Sequence, residues 1–68
     1  MYEAEDLNRI WEAICNNEFR GEYKPQKVFA NKDLQIMCIP FENSGGYDVY
    51  ERRSGEDWIL VPALRRQA

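Results

Sequence analysis

The spacing of apolar residues changes once along this chain, and that change limits the fold more than any other feature. Ala4, Leu7, Ile10, Trp11, Ile14 and Cys15 recur at three- and four-residue steps, the period of one helix face. From Gln26 onward, short runs rich in β-branched and aromatic residues are divided by turns bearing Asn, Gly and Ser, the pattern of strands joined by hairpins. One helical segment followed by several strands predicts an α+β domain.

The helix is expected over about residues 3–17. Glu3, Glu5 and Asp6 lie in its first turn, where the helix dipole favours negative charge. Glu5 precedes Arg9 by four residues, an ion-pair spacing worth only a few tenths of a kcal/mol. Asn16 and Asn17 supply the stop, because asparagine tolerates the left-handed conformation found just past helix ends. Phe19 and Tyr23 are expected to fold back against the helix end.

Strands are expected over residues 26–30, 34–41, 47–53 and 58–61, with turns at 31–33, 43–46 and 54–57. Gly45 and Gly46 accept the positive φ that tight hairpins require. Pro40 cannot donate to a ladder, so it belongs at a strand end or a bulge, and Pro62 ends the fourth strand or places it at an edge. Residues 63–68 read as a tail or one helical turn. The short connections favour antiparallel neighbours in chain order. The prediction is thus a single α+β domain over residues 1–68, an N-terminal amphipathic helix packed on a three- to four-stranded antiparallel β-meander.

Size limits what such a domain can do. A chain of 68 residues buries only about 60% of the surface its unfolded form exposes, and a core of this size rarely supplies more than about 3–5 kcal/mol. Little stability is left to hold a deep, strained active site. The residue inventory points the same way. The sequence contains no histidine and no threonine, and its only serines, Ser44 and Ser54, lie in turns beside glycine. A Ser-His or Cys-His nucleophile pair therefore cannot form within one chain. Cys15 and Cys38 lie among apolar neighbours and are expected to be buried free thiols. Two distant cysteines without histidine do not make a zinc site, and Glu56, Asp57 and Asp48 follow no calcium-loop pattern. Gly45-Gly46 opens no helix and is followed by no Gly-Lys-Ser or Gly-Lys-Thr, so it is a turn and not a phosphate cradle. The expectation is no catalysis, no metal and no cofactor.

Binding remains as the expected mode of action. The second strand does not alternate cleanly between apolar and polar. Leu34, Ile36 and Cys38 face one way, while Met37, Ile39 and Phe41 face the other. One helix covers one face. The other is covered either by the chain itself, through residues 19–23 and the region of Leu64, or by a second molecule. Twelve acidic against nine basic side chains give a net charge of −3, which disfavours nonspecific nucleic-acid binding. The residues singled out for protein binding are Glu5, Asp6, Glu12, Asp48, Glu51, Glu56 and Asp57. Glu5, Asp6 and Glu12 form an acidic strip suited to a basic protein groove. The leading expectation is a small regulatory protein that blocks a basic, nucleic-acid-binding host protein. Phage and mobile-element inhibitors of host defence, including those of the anti-CRISPR type, have this size and character, although no motif assigns the chain to them. The alternatives are a nucleic-acid-binding module using Arg52, Arg53, Arg65 and Arg66, and a homodimeric accessory subunit. No apolar run is long enough to span a bilayer and no signal peptide opens the chain, so a cytoplasmic location is the default expectation.

Overall fold

A computed structural model of the chain describes residues 2–41 and 45–64. Its elements are α1 (Ala4–Cys15), four strands β1 (Gln26–Ala30), β2 (Leu34–Pro40), β3 (Tyr47–Arg53) and β4 (Ile59–Leu60), and a 3-10 turn at Pro62–Leu64. The strands form one antiparallel sheet in chain order, β1-β2-β3-β4. This is the α+β arrangement of helix and meander that the periodicity switch predicts.

Local chemistry sets the boundaries. At the start of α1, the Glu3 backbone N–H donates to the Asp6 carboxylate at 3.4 Å, satisfying one donor that a helix start leaves free. At its end, Asn17 adopts φ 55°. Its N–H donates to the Ile14 carbonyl at 3.0 Å, and the Glu18 N–H reaches back to Ala13 at 2.9 Å. These two bonds are the paired closure of a Schellman motif. Asn17→Val is therefore expected to destabilise the fold by about 1–2 kcal/mol, because a β-branched residue resists positive φ. The shift in urea midpoint measures it, and Asn17→Gly is the control that should cost nothing.

In the β1–β2 turn, the Asn31 side-chain oxygen accepts from the backbone N–H groups of Asp33 and Leu34, both at 2.8 Å. That local cap fixes the hairpin register. Pro40 is the last residue of β2, where its missing donor breaks no interior ladder bond. The pairing of β1 with β2 slips by one residue between Lys27 and Phe29, leaving Val28 as a β-bulge. The turn expected at residues 43–46 lies partly outside the described residues; Gly45, which is described, has φ 74°.

The helix lies on one face of the sheet, here called the covered face. Leu7, Trp11, Met37, Ile39, Tyr50 and Trp58 form one buried cluster, with Ile10, Ile14 and Leu60 at its edge. The Trp11 and Trp58 rings meet at a centroid separation of 5.3 Å, and Tyr2 meets Tyr50 edge-on at 6.4 Å. A helix of 12 residues is marginal by itself, so this packing is what holds it.

Two expectations need correction, and one core residue is to be added. Cys15 is exposed and Cys38 only half-buried. Cys15, the last residue of α1, lies on the margin of the helix stripe and faces solvent. Tyr23 is 56% exposed and does not fold against the helix; Phe19 alone lies there, beside Ile14 and Ile10. Tyr50 is a core residue, 3% exposed, so of the β3 tyrosines only Tyr47 faces outward.

Candidate functional site

Register decides what the second face of the sheet carries. Directly paired residues of an antiparallel sheet project to the same side. Gln35, Met37 and Ile39 pair with Arg52, Tyr50 and Asp48 on the covered face. Leu34, Ile36, Cys38 and Pro40 pair with Arg53, Glu51, Val49 and Tyr47 on the opposite face, with Ile59 beside Glu51 and Phe29 beside Ile36. Among the described residues no α-helix lies on this second, open face.

The open face is mostly apolar. Val28, Phe29, Ile59 and Leu64 are 59%, 46%, 57% and 54% exposed. A depression of about 290 Å³ is lined by Val28, Ile36, Cys38, Tyr47, Val49 and Leu64. The 3-10 turn brings Leu64 to its rim, so the chain covers this face in part, and Val49 at the floor is 5% exposed. The segment around Phe19 does not reach it. Near the middle sits Glu51, half-buried between Ile36 and Ile59. Among the described residues no cation lies within ion-pair distance of it; Arg9 with Glu5 and with Asp6 are the ion pairs found there. Arg53, two positions along β3, projects from the same face and is exposed.

The seven carboxylates picked from the sequence do not share one surface. Glu5 and Glu12 are exposed on α1. Glu5 and Asp6 both approach Arg9 at 3.9 Å, which offsets part of the helix strip's charge. Asp48 is half-buried beside Ile39 on the covered face, Glu51 lies on the open face, and Glu56 and Asp57 are exposed in the β3–β4 turn. The arginine doublet divides as well. Arg52 points to the covered side, where its Nε and Nη2 donate to the Gln35 side-chain oxygen and its Nη1 to that of Asn8 at 2.6 Å. Its guanidinium lies 4.6 Å from the Trp58 ring centroid, and Trp58 Nε1 donates to the same Asn8 oxygen at 2.9 Å. Arg52 is thus a tie between helix and sheet, while Arg53 points the other way. Arg65 and Arg66 lie outside the described residues.

Comparison with known protein families, curated proteins and solved structures finds no match. The open face must therefore be read on its own chemistry. Among the described residues no three His, Cys, Asp or Glu side chains come together as metal ligands, and none of their helices is long and apolar enough to cross a membrane.

Sequence reasoning named Glu51 but not its setting. Counting register back from the Gly45-Gly46 turn places Glu51 among Ile36, Val49 and Ile59, so that signal was present. The Asn8–Arg52–Trp58 tie had none, since its partners are 44 and 50 residues apart.

Proposed function

We propose that this chain is a non-enzymatic binding protein that acts through two protein-contact surfaces, the open sheet face and the acidic helix on the opposite side. The observation that carries this reading is the apolar area surrounding a half-buried Glu51 that has no ion-pair partner among the described residues. Contiguous apolar area of a few hundred Å² with polar surroundings is characteristic of interaction sites. A carboxylate set within it favours a docking surface that supplies a cation. The lack of any histidine to activate a hydroxyl or thiol further supports binding over chemistry. The proposed partner of the helix surface is a basic, nucleic-acid-binding host protein. Exposed Glu5 and Glu12 and a net charge of −3 would speed that encounter. A cytoplasmic inhibitor of host defence, of the anti-CRISPR type, is the proposed setting.

The test compares proteins retained from one cell extract by the wild-type chain and by two variants. Val28→Lys/Ile59→Lys alters the open face at exposed positions, and Glu5→Lys/Glu12→Lys alters the helix. Both should keep the wild-type circular dichroism spectrum. The helix variant is expected to lose at least about tenfold in retention of a basic partner and to lose its salt sensitivity. If both variants retain every protein that the wild type retains, neither surface is a contact and the reading fails.

A further inference from the structure

We infer that the occupant of the open sheet face is a second copy of this chain, seated face to face about a two-fold axis that brings Glu51 of each copy to Arg53 of the other. The inference rests on the reading of this face as a protein-contact surface and adds to it the identity of the occupant.

Charge supports a copy over a foreign partner. Among the paired strand residues that project from the open face, Glu51 and Arg53 are the charged ones, one of each sign. These paired residues therefore sum to no net charge, although the chain carries −3. A surface shaped for a strongly basic or acidic partner would carry one sign. A face with an anion and a cation two residues apart on one strand is complementary to itself. An isologous interface requires that residue i meet j while j meets i, and an axis lying between the two sheets and crossing β3 near these residues satisfies that requirement. The exchange gives each half-buried Glu51 the cation it lacks among the described residues of its own chain. Each Arg53 brings a long stem that lies along apolar surface while its head reaches a carboxylate.

Area fits as well. Strands of five, seven, seven and two residues give a face of roughly 350 Å² in projection at ordinary strand spacing and rise. Two such faces in contact cover roughly 700 Å² in projection, the size class of weak, transient association, where micromolar affinity is expected. The apolar residues around Glu51 supply contacts that exclude water from the two ion pairs, and exclusion of water is what gives such pairs weight.

Sedimentation velocity over a concentration series from about 1 to about 500 µM brackets that affinity range. The wild type should pass from monomer to dimer within it. Glu51→Arg and Arg53→Glu each put like charges across the axis, and each should raise the concentration for half-dimerisation at least about tenfold. The double exchange Glu51→Arg/Arg53→Glu restores opposite signs and should return it to within about threefold of wild type. A second readout needs no substitution. Alkylation of Cys38, on the open face, should slow as concentration rises, while that of exposed Cys15 should not. A wild-type chain that stays monomeric throughout, or a double exchange no better than the singles, overturns the inference. If the chain stays monomeric and Val28→Lys/Ile59→Lys nevertheless loses retained proteins, the second copy is excluded while the contact reading stands. If that variant also changes nothing, the contact reading of this face falls too.

Discussion

Trp58→Ala is expected to leave the chain largely unfolded at room temperature. The ring is 6% exposed and serves three neighbours at once. It packs against Trp11 at 5.3 Å, donates its N–H to Asn8, and provides the surface on which Arg52 lies. Truncating a buried tryptophan costs about 3–5 kcal/mol, which equals the whole supply of about 3–5 kcal/mol expected from a core of this size. Trp58→Phe separates the contributions. It keeps a ring in the cluster but leaves the Asn8 acceptor with Arg52 alone, and should cost less. Circular dichroism with urea titration measures both variants. A cooperative transition for Trp58→Ala near the wild-type midpoint would show that the helix is held to the sheet by something other than this ring.

Met37→Ala is expected to cost about 2–5 kcal/mol, the range for removing a long apolar side chain from a closed site. Among the described residues Met37 is the most deeply buried side chain, at 0% exposure. It lies in a central strand, paired with Tyr50 on one side and Lys27 on the other, so neither edge of the sheet can move in to fill the space. Met37→Leu keeps nearly the same volume and should cost less than about 1.5 kcal/mol. The difference between the two urea midpoints is the quantity to measure. Equal losses would mean that the thioether, not the volume, is what the site requires.

The elements of this fold were legible because each is marked by local chemistry. The helix stripe from Ala4 to Ile14, the Asn17 stop, the Asn31 turn and the two prolines all act within a few residues of where they stand. The expected limits of β1 and β3 coincide with those observed, whereas α1 and β4 are shorter than expected. Element ends fray, and spacing reports only which residues could continue an element. What the sequence left open depends on partners far along the chain. Asn8 reads as a solvated helix residue until Arg52 and Trp58 are brought to it. Cys15 reads as part of the apolar stripe until it is found exposed at the margin of that stripe. The choice between a self-covered and an uncovered second face also depended on where Phe19 and Leu64 go. The seven carboxylates could be listed from the sequence but not sorted, because sorting them requires the register of β2 against β3.

The bulge at Val28 shapes how this protein can associate. Strand β1 is one of the two outer strands of the sheet and all five of its residues are exposed; such a strand ordinarily invites another chain to extend the ladder without limit. An extra residue kinks the strand and throws its outward N–H and C=O groups out of step with any straight newcomer, and the neighbouring Lys27 adds a charge there. Growth of the ladder from this edge, a route to fibrils, is thereby opposed, while the apolar side chains on the broad side of the sheet stay exposed.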